Sequence, residues 1–150
     1  MSTHQQLLYH IVFSTKNRKP FLKNDAFRES VFAYAAGISK NLGGFALNVN
    51  GYFDHMHLLV RIPAKIAVSK FIGELKANTS KHINDTSGLI YKFGWQDGFG
   101  AFTVSTSQKD KVYEYIANQM QHHLGETYKA EYIRLLEKHE VEYDPRYVWE

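Results

Sequence analysis

An α+β fold of the ferredoxin-like (RRM-like) kind, an antiparallel sheet with helices on one face, is predicted for this 150-residue chain. Three observations predict it. Strand-like and helix-like segments follow one another in the order β-α-β-β-α-β, and further helices come after the last strand. The middle two strands are separated by little more than Asp54, which makes them a hairpin rather than a crossover. The length suits a single domain, 1–150, with enough chain to bury a real core.

Each element has its own signal. Residues 6–14 are rich in β-branched and aromatic side chains and read as the first strand, followed by a basic loop, Lys16 to Lys19, closed by Pro20. Over 25–42 the apolar positions Phe27, Val31, Ala35, Ile38 and Leu42 have helical spacing, with Asn24 as N-cap and Gly43-Gly44 as the stop. Residues 45–53 alternate as a strand, and 55–62 make its hairpin partner, closed by Pro63. The second helix, 67–83, puts Phe71, Ile72, Leu75 and Thr79 on one face. A turn-rich stretch, 84–100, leads to a short strand at 101–106. A capping-box-like pair, Ser107 and Asp110, starts a helix over 108–124 that Gly125 ends, with Ile116, Met120 and Leu124 turned to the core. A last helix, about 127–139, carries Tyr132, Leu135 and Leu136 ahead of an aromatic tail.

Composition removes several kinds of chemistry. With no cysteine there are no disulfides, thiol nucleophiles or thiolate metal sites, so a metal must be held by imidazole, carboxylate or amide oxygen. Eighteen Lys and Arg against 15 Asp and Glu give a net charge of +3, which permits a nucleic-acid partner without requiring one. No apolar run approaches the roughly 18 residues of a membrane helix, and the first residues lack the pattern of a secretory signal. A cytoplasmic protein is expected.

Two places could carry chemistry. His55 and His57 are two apart on a strand, so their side chains share one face while Met56 points to the other. On spacing alone the pair fits either one divalent cation or ordinary packing. Tyr115 and Gln119 are four apart on a helix and share a stripe with His122, which offers a hydroxyl, an amide oxygen and an imidazole. Alone, such a tyrosine is as well explained by packing. His122 and His123 are expected to cap the helix end.

Together with three further blocks these places resemble one family. YHIVFSTKNRKPF at 9–21, DHMHLLV at 54–60, SKFIGELK at 69–76, WQDGFGAFTVS at 95–105 and YIANQ at 115–119 stand in the order found in the single-tyrosine HUH transposases (TnpA-like), which include the REP-associated tyrosine transposases. The resemblance covers about residues 6–124. It implies an HUH endonuclease-like sheet over about 6–106, a tyrosine helix over about 108–124, and a C-terminal helix and tail over 127–150 with no assigned catalytic part.

The resemblance also implies roles. His55 and His57 match the paired metal-binding histidines, Gln119 the third ligand, and Tyr115 the nucleophile. The cofactor is a divalent ion, Mg²⁺ or Mn²⁺. The reaction is nicking and rejoining of single-stranded, hairpin-bearing transposon or REP ends through a 5′-phosphotyrosine intermediate, in a bacterial or archaeal cell. Members are commonly homodimers, and the tyrosine helix can serve the partner's site. This chemistry suits a chain without P-loop or cysteine, because a phosphotyrosine conserves the phosphoester and rejoining needs no ATP. Lys16, Arg18, Lys19, Lys70 and Lys76 are the candidate DNA contacts, as phosphate ligands. Two other readings stay open: a non-catalytic ferredoxin-like nucleic-acid-binding module, and a metal-dependent phosphodiesterase that uses water.

Overall fold

A computed structural model describes residues 2–150. Its centre is a four-stranded antiparallel sheet made of β1 (Leu8–Ser14), β2 (Phe45–Tyr52), β3 (His55–Arg61) and β4 (Gly100–Thr103), in the order β2-β3-β1-β4. That order follows from the chain path. The β2–β3 hairpin leaves β3 free to pair with β1, and the second crossover returns β4 to the other side of β1. β1 and β3 are therefore central, and β3 is buried along almost its whole length.

Period-two alternation sorts the central strands onto two faces. Ile11, Phe13, Met56, Leu58 and Val60 point to one face, where α1 (Asp25–Asn41) and α2 (Val68–Thr86) cover them with Val31, Phe32, Ala35, Phe71, Ile72 and Leu75. α1 begins as its sequence predicts, with the Asn24 side chain accepting from the Phe27 amide. The other face carries Leu8, His10, Val12, Ser14, His55, His57 and Leu59. It is covered by α3 (Lys109–Ala117), α4 (Gln119–His122) and α5 (Tyr128–Lys138). The helices after β4 thus lid the sheet on its second side, and the histidine face lies inside the protein.

The expected helix over 108–124 is two helices. α3 ends at Ala117, Asn118 leaves helical geometry (φ −98°, ψ 20°), and α4 starts at Gln119. The cause is a side chain 67 residues away at most. Asn50 on β2 donates its amide to the carbonyls of Ile116 (3.0 Å) and Ala117 (3.2 Å), which supplies the end of α3 with partners outside the helix. Asn48 does the same for Tyr113 (3.1 Å). The break turns Gln119 inward and leaves Met120 and Leu124 exposed, whereas Ile116 stays fully buried. The expected Ser107–Asp110 capping box is absent too: Gln108 is the N-cap residue, without a side-chain cap, and Ser107 bonds Ser105 instead. Among the described residues no helix is long and apolar enough to cross a membrane.

Candidate active site

His55 and His57 open β3 side by side on the lidded face, and both are fully buried. Burial of two imidazoles is costly unless each nitrogen has a partner. The outer nitrogens are held first. His55 Nδ1 lies 2.8 Å from Asp54 Oδ1, and His57 Nδ1 lies 2.8 Å from His10 Nε2 on the neighbouring β1. These contacts turn both Nε2 atoms toward the same point under α4 and α5.

Glu131 on α5 occupies that point. Its Oε1 lies 3.1 Å from His57 Nε2, 3.3 Å from His55 Nε2 and 3.1 Å from His123 Nε2. Gln119 brings its Oε1 to 3.1 Å from His55 Nε2 and 2.9 Å from His123 Nε2, and its amide donates to Glu131 Oε2 at 3.1 Å. The Tyr115 hydroxyl donates a short hydrogen bond to Glu131 Oε2. Arg134, one turn beyond Glu131, donates to the same hydroxyl at 2.9 Å and is itself held by Glu126. The predicted set of His55, His57, Tyr115 and Gln119 therefore meets within one chain.

Glu131, His123 and Arg134 complete the cluster and are the residues that sequence reasoning missed. A signal existed. Tyr128, Tyr132, Leu135 and Leu136 mark the buried face of α5, and position 131 falls on that face. A carboxylate at a core position of an amphipathic helix needs partners and so advertises a site.

The electrostatics follow from burial and these contacts. Burial alone lowers His55, but hydrogen bonds to Asp54 and Glu131 outweigh it and raise its pKa to about 9. His57 has no second carboxylate, so burial dominates and lowers it to about 4, with His55 and His123 adding to the fall against the pull of Glu131. Glu131 resists the upward push of burial, because His57, His123 and His55 hold it firmly ionised. Burial and the Glu131 carboxylate push the Tyr115 phenol up, with Arg134 opposing them. The resting hydroxyl is protonated.

The donor set fits a divalent cation. His55, His57, His123 and Glu131 each offer an atom within 4.8 Å of the others. His123 makes the case sharpest. Its Nδ1 lies 2.6 Å from the Glu126 carbonyl, an obligate acceptor, so Nδ1 carries the proton. The Nε2 of a neutral ring is then a bare lone pair facing two oxygens, Gln119 Oε1 and Glu131 Oε1, at 2.9 and 3.1 Å. A proton or a cation is needed between them. The outer contacts to the Asp54 carboxylate and the Glu126 carbonyl are also of the kind that orient metal-binding imidazoles.

The candidate DNA contacts are scattered. Lys16 and Arg18 sit in a tight 3₁₀ turn after β1 and Lys19 follows it; the Thr15 amide before the turn bonds the Asp54 carbonyl (2.8 Å), so this loop borders the histidine end of the sheet. Arg18 lies over the Trp149 ring at 5.4 Å. Lys70 is exposed on α2, in the helical layer across the sheet from the histidines. Lys76 departs from expectation. Its ammonium donates to the carbonyls of Gln96 (2.5 Å), Asp97 (3.2 Å) and Gly98 (2.9 Å), half-buried, and fastens the loop before β4. A cation so engaged serves the fold and has little left for a phosphate.

Comparison with known proteins places the chain. The family described as "Transposase IS200 like" matches residues 3–119. The transposase of insertion sequence IS200 from Salmonella typhimurium is 30% identical over 118 residues, which cover 75% of this chain and 76% of the relative, and its Salmonella typhi counterpart matches equally. The chain belongs to the IS200-like transposase family. This IS200-like transposase also shares its fold with two solved structures. A candidate transposase from Deinococcus radiodurans R1 aligns with a TM-score of 0.64 at 21% identity, over 79% of this chain and 95% of that one. A REP-associated tyrosine transposase bound to a REP hairpin aligns with a TM-score of 0.60 at 17% identity, over 82% of this chain and 74% of that one. The family match ends at Gln119, so in this IS200-like transposase His123, Glu131 and Arg134 come from the part of the chain beyond it.

Proposed function

We propose that this transposase nicks and rejoins single-stranded, hairpin-bearing DNA ends through a 5′-phosphotyrosine at Tyr115. The observation that carries the reading is the single carboxylate of Glu131, which touches the Tyr115 hydroxyl with one oxygen and the imidazoles of His55, His57 and His123 with the other. The binding of a REP hairpin by a structural neighbour supports the choice of substrate.

His55, His57 and His123 through Nε2, with Glu131 and Gln119 through Oε1, would hold the divalent ion. Three imidazoles suit Mn²⁺ at least as well as Mg²⁺. The ion, when bound, supplies charge neutralisation and polarises the scissile phosphate. The chain's own groups do the rest. Glu131 and Arg134 fix the Tyr115 hydroxyl between an acceptor and a donor. Glu131 Oε2 orients the hydroxyl, whose proton passes to water as Tyr115 Oη bonds to phosphorus and the bond to the 3′ oxygen breaks. That oxygen leaves as a 3′-OH after taking a proton from water. Arg134 favours the negative oxygen while it develops and then faces the phosphotyrosine. Rejoining reverses the roles, with a 3′-OH attacking and Tyr115 leaving.

Lys16, Arg18, Lys19 and Lys70 are the proposed phosphate contacts. Tyr115 meets the histidines of its own chain, which supports action in cis, and a homodimer would offer two such sites to two DNA ends. The test is a hairpin oligonucleotide from the flanking repeats, incubated with Mn²⁺ and run on a denaturing gel. A protein–DNA adduct is expected for the natural chain and none for Tyr115→Phe, with DNA binding retained. Cleavage without adduct, retained in Tyr115→Phe, would favour hydrolysis by water. Binding without cleavage in either protein would favour a non-catalytic module.

A further inference from the structure

A second feature adjoins Tyr115 on the side of His10, the partner of His57 Nδ1. Between α3, α5 and the end of β4 lies a cavity of about 510 Å³, within the range of small-ligand sites. Tyr115 and Arg134, which share a hydrogen bond at the Tyr115 hydroxyl, both line it. Its sides are the apolar side chains of Val112 and Leu135, and Lys111 and Lys138 stand exposed at its mouth. Among the described residues no carboxylate lines it. An apolar slot ringed by cations, with no anion, matches the two parts of a nucleotide: a base that gains from leaving water and a phosphate that needs positive charge.

We propose that this cavity holds one unpaired nucleotide of the DNA strand next to the scissile phosphate, with its base against Val112 and Leu135 and its own phosphate between Lys111 and Lys138. The placement rests on the reading of Tyr115 as the residue that meets the scissile phosphate. Arg134 then spans two tasks, because it faces both the reacting oxygen and the cavity. The slot gives the enzyme a direct hold on a base that is extruded or single-stranded, and it excludes a base locked in a duplex. It also gives α5 a second reason to pack where it does, since Leu135 and Lys138 lie on the same helix as Glu131.

The test uses the full chain with Mn²⁺, methyl-labelled for NMR and titrated with thymidine 5′-monophosphate, thymidine and inorganic phosphate. The nucleotide should shift the methyls of Val112 and Leu135 in a saturable way, and phosphate alone should leave them in place. Lys138→Glu, a change at an exposed position that spares the core, should weaken nucleotide binding about fivefold, as expected for about 1 kcal/mol of charge contact. Val112→Trp, which fills the slot, should abolish the shifts. Unmoved methyls at saturating nucleotide, or equal effects from phosphate and nucleotide, would overturn the proposal. The adduct assay is independent. Adduct formation with unmoved methyls removes the nucleotide slot and keeps the tyrosine chemistry, whereas saturable shifts with no adduct keep the slot and remove that chemistry.

Discussion

Replacing Glu131 by Gln keeps the volume of the side chain and removes its charge. In the native structure the carboxylate is fully buried against His55, which is also fully buried and protonated at neutral pH between Asp54 and Glu131. Removing one member of a buried ion pair costs about 3–5 kcal/mol, because the remaining charge stays desolvated. The new amide adds to that. Whichever way it turns, its NH₂ group faces either the imidazole nitrogens or the two donors that now point at Oε2, the Tyr115 hydroxyl and the Gln119 amide. About 4 kcal/mol is therefore expected, roughly a 10 °C fall in melting temperature for a chain of this size. The measurement is urea and thermal unfolding at pH 7 with a chelator present, so that no cation stands in for the lost charge. A loss below about 1 kcal/mol would refute the reasoning, since a carboxylate with that little effect is not the centre of a buried cage. The same variant should bind Mn²⁺ at least about tenfold more weakly.

Other expectations follow from the same geometry. Metal-free stability should peak near pH 6.5. His57, held at about 4, contributes stability that is fully present above its unfolded value of 6.5 and is lost as pH falls from there toward 4. His55, raised to about 9, contributes stability that is fully present below 6.5 and is lost as pH rises through 9. Each limb is about 3 kcal/mol deep, and a melting temperature unchanged between pH 5 and 9 would contradict both. Gly51→Ala should cost about 3 kcal/mol, because a Cβ there runs into the backbone carbonyl of His55 across the hairpin, and unfolding in urea reads the loss. Asn50→Ala should cost about 1 kcal/mol by removing the side-chain donor shared by the Ile116 and Ala117 carbonyls at the end of α3. It should also lower adduct yield under conditions where the fold is intact, since Tyr115 and Gln119 flank that end.

Local patterns foretold the parts of the site that depend on them. Period two put His55 and His57 on one face, and the four-residue spacing put Gln119 beneath Tyr115, where its amide still lies 3.4 Å from the Tyr115 carbonyl. The break at Asn118 could not be read locally, because its cause is Asn50 on a different strand. It put Met120 and Leu124 outside, against expectation, while Gln119 lies inside, on the side where a ligand beside the histidines must be. Glu131 was legible as a carboxylate on the buried face of its helix, but not its partners. Residues 127–139 read as a helix on the strength of Tyr132, Leu135 and Leu136, and where that helix docks is a tertiary fact. Lys76 shows the converse error, as a surface-looking cation in the sequence that three loop carbonyls claim in the fold.

In the proposed reaction Tyr115 alone forms the covalent bond to DNA. Mass spectrometry of the proteolysed adduct, formed with a hairpin oligonucleotide and Mn²⁺, tests it most directly. The account predicts a single nucleotide-bearing peptide, modified at Tyr115, with a free 3′-OH on the released strand. Modification at any other of the ten tyrosines, or cleavage that leaves every peptide unmodified, would contradict it.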